Sequence, residues 1–144
     1  MARRGFRPRA LGEIALRTRN MAAMVAFYRD VLGLELLQSR DDGRIVFFRI
    51  ADGFAGHTAV LALFEESAAE VVAGRAGPRR SSLHHLALAL PRAEQAAAEA
   101  WFERQGLPYR VEEFAWIGWR GVFVDDPDGN TVELVAYDPL LLDQ

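Results

Sequence analysis

The sequence predicts an α+β fold in which two βαβββ repeats form a curved, cup-shaped mixed sheet with the helices outside. Three observations carry that expectation. Segment 118–137, reading GWRGVFVDDPDGNTVELVAY, matches segment 43–64, reading GRIVFFRIADGFAGHTAVLALF, at Arg44/Arg120, Val46/Val122, Phe47/Phe123, Asp52/Asp128 and Gly53/Gly129, all at one constant separation. Further upstream, Glu13-Ile14-Ala15-Leu16 matches His85-Leu86-Ala87-Leu88 at a slightly shorter separation, as a small insertion would produce. Ordered matches along two halves with the same pattern mark a duplicated unit. Each half also divides, by its turn residues, into strand, helix and three strands.

Taken in order, residues 11–16 read as a strand, and Asn20 is placed to cap a helix. Met21, Met24, Val25, Tyr28 and Leu32 fall on one face of that helix, and Gly33 ends it. Residues 34–39, 45–50 and 58–64 read as three strands, with turns at Asp41-Asp42-Gly43 and at Asp52-Gly53. The second unit repeats the order: a strand over 82–90, a helix over 92–105 after Pro91, a stop at Gly106, then strands over 107–114, 119–124 and 131–137. The division is therefore a basic tail over 1–10, a first unit over 11–66, a linker over 67–81 with a short helix around 68–73, and a second unit over 82–138. Four strands and a helix cannot cover both faces of a sheet alone, so the two units are expected to associate as one compact domain with a pocket on the concave side.

Composition narrows the chemistry. The 144 residues are 51% hydrophobic and 26% charged, enough apolar material for a core. The net charge of −3 offers no general attraction to nucleic acid, and the basic cluster Arg3, Arg4, Arg7, Arg9 reads as a solvated tail. There is no Cys, hence no disulfide, thiolate ligand or thiol nucleophile. There is no Lys either, which removes Schiff-base chemistry. No stretch has the length of a membrane span, and no apolar signal core follows the tail, so a soluble, cytoplasmic protein is expected.

Strand alternation selects the candidate site. Glu13, Ala15 and Arg17 share one face of the first strand and Ile14 and Leu16 the other; His85, Ala87 and Ala89 repeat the open face in the second unit. In the last strand Glu133 shares a face with Thr131 and Val135, opposite the apolar set Val132, Leu134 and Ala136. A carboxylate in such a strand needs a cation, a metal or a wet pocket beside it. Glu13 and His85 are repeat equivalents, so Glu13, His85 and Glu133 make a candidate three-ligand site for a divalent cation. Taken singly, each has a plainer reading: a strand Glu paired with Arg17, Arg44 or Arg120, or a structural His. Phe47, Trp116, Trp119 and Phe123 are candidate apolar walls for a small substrate, with Arg120 or Arg44 as an anion contact. His57, four residues after Gly53, is a candidate acid or base near the pocket mouth, or a loop hydrogen-bonder.

Phe27-Tyr28-Arg29-Asp30-Val31-Leu32-Gly33-Leu34 and Asp126-Pro127-Asp128-Gly129-Asn130-Thr131-Val132-Glu133-Leu134 carry a further signal. With these motifs the chain resembles, over about residues 11 to 137, the vicinal oxygen chelate superfamily, which includes glyoxalase I, bleomycin-resistance proteins, fosfomycin-resistance enzymes and extradiol dioxygenases. The resemblance implies paired βαβββ units, a homodimer, and metal ligands on the first and last strands of each unit, here Glu13, Ala62, His85 and Glu133. Glu13 stands where members commonly have His or Gln, and Ala62 where glyoxalase I has a ligating Glu. Extradiol dioxygenases use two His and one carboxylate, the reverse of this set.

Two readings compete. One is a metal-dependent enzyme of the lyase, isomerase or dioxygenase-like kind, using Fe, Mn, Ni, Zn or Mg, in which the ion binds two substrate oxygens as a Lewis acid and Glu133, Glu13 or His57 acts as general base. The other is a metal-free small-molecule binding or antibiotic-resistance protein of the bleomycin-resistance type, its carboxylates paired with Arg. A duplicated module with no ligand is the third and plainest possibility.

Overall fold

The computed structural model describes residues 4–66 and 83–143. They belong to two compact units, Met1–Gly77 and Pro78–Gln144. Each unit is a βαβββ repeat with its own four-stranded mixed sheet, and the first strand of each lies parallel to the last. The expected linker over 67–81, with its short helix around 68–73, lies outside the described residues.

In the first unit β1 (Glu13–Thr18) leads into α1 (Met21–Ala26), which continues as a π-helical turn over Phe27–Val31. Asn20 holds the N-cap position, but the capping bond runs the other way: its own N–H donates to Thr18 Oγ1 at 2.9 Å. Gly33, at φ +75°, turns the chain into β2 (Glu35–Arg40), and β3 (Ile45–Phe54) and β4 (His57–Glu65) follow. The sheet order is β1-β4-β3-β2. Leu16, Val46, Phe48, Leu61 and Leu63 share one face by register and are buried together with Met24, Phe27 and Tyr28 of the helix. Glu13, Ala15 and Arg17 alternate onto the opposite, exposed face, as period-2 geometry requires.

One expected turn falls elsewhere. Asp52-Gly53 lies within β3, and the hairpin closes at Ala55-Gly56. Gly53 sits at an irregularity of the ladder with φ +78°, where a Cβ would overlap the His57 carbonyl oxygen and lie 2.8 Å from the Ala59 nitrogen. Only Gly fits, because both the dihedral and the backbone approach exclude a side chain. Gly53→Ala is expected to cost at least about 2 kcal/mol, combining left-handed strain with overpacking. Urea unfolding would show it as a lower midpoint at unchanged slope.

The second unit runs β5 (Leu86–Ala89), a 3₁₀ turn over Arg92–Glu94, α2 (Gln95–Gln105), β6 (Arg110–Phe114), β7 (Trp119–Asp125) and β8 (Thr131–Tyr137), then a 3₁₀ turn over Pro139–Asp143. Its sheet order, β5-β8-β7-β6, repeats that of the first unit. Val122, Val132 and Phe102 fill the core on the helix side. At the head of α2 the fully buried Gln95 amide donates to the carbonyls of Arg120 and Leu134, so one side chain ties the helix to β7 and β8.

The ladders also fix the repeat equivalence. Phe47 pairs with Ala62 and Phe123 with Glu133, while Ala15 pairs with Ala62 and Ala87 with Glu133. Ala62 is therefore the counterpart of Glu133. His57, at the start of β4, is not, because the β3–β4 hairpin is longer than its β7–β8 counterpart.

Candidate functional site

The Asp126–Asn130 turn is what aims Glu133. Asp126, buried at 4% exposure, accepts from the backbone N–H groups of Asp128 and Asn130 at 2.9 Å and from the Asn130 side-chain amide at 2.8 Å. Gly129, at φ +85°, completes the reversal. The turn locks the β7–β8 register, and that register puts Thr131, Glu133, Val135, Phe123 and Gly121 on one face of the sheet.

Glu133 is buried, its side chain only 7% exposed, and Oε1 lies 3.2 Å from His85 Nε2. Its other oxygen sits over Gly121: a Cβ there would overlap Oε2 and come within 2.7 Å of Phe123 Cε2. Gly121 thus makes the space the carboxylate occupies. Gly121→Ala is expected to cost about 1–3 kcal/mol by overpacking and to push Glu133 away from His85. A crystal structure and a thermal melt of the variant would show both effects.

Burial pushes the Glu133 carboxyl above the usual carboxylate range. The His85 charge and hydrogen bond oppose this, the Glu112 carboxylate adds to it, and the Arg110 guanidinium opposes it. His85 Nδ1 lies 2.8 Å from His84 Nδ1, so both nitrogens of the His85 ring are engaged. With Nε2–H directed at Glu133, Nδ1 of His85 accepts from His84. In the other tautomer Nε2 carries no proton and Nδ1–H donates to His84 instead. His84 therefore fixes the orientation of the ring in either state.

The remaining expected residues are distributed as follows. Glu13 is exposed at the head of β1, in the first unit, at the position equivalent to His85. His57 is exposed, its ring so close to Gly12 that a Cβ there would lie 3.2 Å from Nδ1. Phe47 shares the Ala62 face and packs edge-on against Phe64, ring centroids 6.3 Å apart. Phe123 is buried beside His85, centroids 6.1 Å apart, and Trp119 shares its face at the exposed end of β7. Trp116 projects from the β6–β7 turn and is 78% exposed. Arg120 points the other way. It reaches Gln95 at 3.1 Å and Glu99 at 3.2 Å under α2, on the face opposite Glu133. Arg44 is tied to Asp41 at 2.6 Å.

A sequence model of the Glyoxalase/Bleomycin resistance protein/Dioxygenase superfamily matches residues 10–134. The chain belongs to this superfamily. Among solved structures, a lactoylglutathione lyase from Agrobacterium tumefaciens is 28% identical over 90% of this chain and 95% of its own, with a TM-score of 0.65. A glyoxalase/dioxygenase from Nostoc punctiforme is 21% identical over 95% and 99% of the two chains, TM-score 0.69. A glyoxalase/bleomycin resistance protein/dioxygenase from Nocardioides is 22% identical over 93% and 86%, TM-score 0.64. The last two likenesses speak for the fold. No curated protein matches by sequence. As in the superfamily at large, small molecules are the expected substrates, and among the described residues no helix is long and apolar enough to cross a membrane.

His85 and Glu133 offer two donor atoms of types that ligate divalent cations. Two ligand atoms about 2.1 Å from one ion, at tetrahedral to octahedral angles, lie roughly 3.0–3.4 Å apart. The 3.2 Å separation of His85 Nε2 and Glu133 Oε1 falls within that range. Among the described residues no three His, Asp or Glu side chains are grouped closely enough to hold an ion unaided.

Proposed function

We propose that the protein is a metal-dependent enzyme acting on a small organic substrate through two adjacent oxygen atoms, with Glu13, His85 and Glu133 as the protein's ligands to a divalent cation, one of Fe, Mn, Ni, Zn or Mg. The observation that carries the proposal is the buried Glu133 carboxylate held beside His85 Nε2 in a space cleared by Gly121. A carboxyl whose ionised form burial disfavours, beside a charged partner, is a functional-site candidate. Superfamily membership supports it. Bound there, a divalent ion would act as a Lewis acid on the substrate oxygens. The chain's own residues do the rest. His84 orients His85, Phe123 walls the site and Trp119 and Trp116 extend the apolar surface. The base that moves a proton is one of Glu133, Glu13 and His57, and the reaction class is that of a lyase, isomerase or dioxygenase. A homodimer in the cytoplasm completes the proposal, supported by the edge strands β2 and β6, exposed along most of their length, and by the absence of Cys.

A metal-free binding protein of the bleomycin-resistance type is favoured by one observation: Glu133 already has His85 as a partner. Metal analysis of untagged protein and of Glu133→Ala separates the two readings. Near-stoichiometric metal in the parent and little in the variant supports the enzyme; equal, negligible metal in both after incubation with Mn²⁺, Ni²⁺ or Zn²⁺ supports the binder.

A further inference from the structure

The two arginines that the sequence offers as anion contacts are engaged elsewhere, Arg44 with Asp41 and Arg120 under α2. A third stands in their place. Arg110 pairs across the ladder with Phe123, and Phe123 pairs with Glu133, so all three side chains leave the same face of the sheet. The Arg110 guanidinium lies 4.2 Å from the Phe123 ring centroid, in cation–π contact with the buried ring that also packs against His85. Glu112, the next residue of β6 on that face, takes Arg110 Nη1 at 2.8 Å and steadies it. Nη2 and Nε have no hydrogen-bond partner among the described residues, and the side chain is about half exposed. A charge that is oriented by a ring and a carboxylate, yet keeps two donors available, is suited to receive a planar anion.

We infer that Arg110 binds an anionic group of the substrate, so that the site takes small carboxylates or related oxyanions whose charge lies a short chain away from the oxygens held at His85 and Glu133. Strands are about 4.8 Å apart, which puts the backbones of Arg110 and Glu133 roughly 10 Å apart, and the two side chains reach inward from either end. A small molecule of a few carbon atoms is long enough to touch both. The inference rests on the proposed metal site for the second anchor, while its charge preference is read separately.

Two probes share one chelating head: acetohydroxamate, without a charged tail, and succinic monohydroxamate, with a carboxylate two methylenes away. Binding of each is measured by calorimetry to protein with and without Mn²⁺, for the parent, Arg110→Gln and Arg110→Lys. The expected result is at least tenfold tighter binding of the carboxylated probe to the parent. That preference is lost in Arg110→Gln and partly kept in Arg110→Lys, while acetohydroxamate binds all three within twofold. The inference is overturned if the carboxylated probe shows no preference, binding of neither probe included, or if Arg110→Gln keeps it. Acetohydroxamate binding that is the same with and without Mn²⁺ counts against the metal site, while the preference between the two probes still reads the Arg110 contact. Arg110 is exposed at the sheet edge, and circular dichroism of each variant confirms that it folds.

Discussion

Glu133→Gln is expected to melt at a higher temperature than the parent protein at neutral pH without metal, and to bind no metal. Burial raises the folded-state pKa of Glu133 above its unfolded value. The folded state therefore holds that proton more tightly. The stability this contributes is complete below the ordinary carboxylate range and is lost as pH rises through the folded-state value. Gln keeps the shape and an oxygen facing His85 but has no charge to desolvate, so it escapes the loss. The gap should be a few degrees in Tm at pH 7, the size that about 1 kcal/mol produces in a chain this long, and should close as pH falls. Thermal melts in chelator across pH 4.5–8 measure it. Adding Mn²⁺ should then raise the Tm of the parent and leave the variant unmoved, since only the parent gains binding energy in its folded state. A parent that is the more stable at pH 7 in chelator would mean that His85 and Arg110 already compensate the carboxylate.

The second large effect separates the two neighbouring histidines. His85→Ala removes a proposed ligand and is expected to weaken metal binding by more than a hundredfold. His84→Ala removes only the partner of Nδ1, and outer-shell partners of this kind contribute about 10–100-fold. Glu13→Gln is expected to resemble His85→Ala rather than His84→Ala. Calorimetric titration of each variant with Mn²⁺ gives the ranking. Equal losses at His84 and His85, or no loss at Glu13, would remove those residues from the roles assigned to them.

The duplicated βαβββ order was legible in the sequence because each unit's helix ends at a Gly and its strands alternate. The second-unit motif was legible down to the side chain. Asp126, Gly129 and Asn130 build a turn whose hydrogen bonds are local, so sequence spacing alone sets where Glu133 points. The Asp52-Gly53 match was misleading for the complementary reason. The same dipeptide sits in a longer hairpin where Gly53 serves close backbone approach and not the turn. Arg120 matches Arg44 in the repeat, yet strand alternation places it beneath α2 with Glu99. Arg110 and Gly121 are not legible in the sequence because each matters through a partner one or two strands away, and the sequence places His84 inward or toward an edge without showing its contact with His85. Counting back from the Ala115–Gly118 turn to pair Arg110 with Phe123 is the signal that would have found the first.

Anomalous scattering from a crystal grown with Mn²⁺ and without chelator tests the metal site most directly, because it reports the presence of the ion and its ligands together. The expected result is one peak about 2.0–2.3 Å from His85 Nε2 and from a carboxylate oxygen of Glu133. Absence of a peak there, with Glu133 still in contact with His85 alone, would contradict the proposed chemistry.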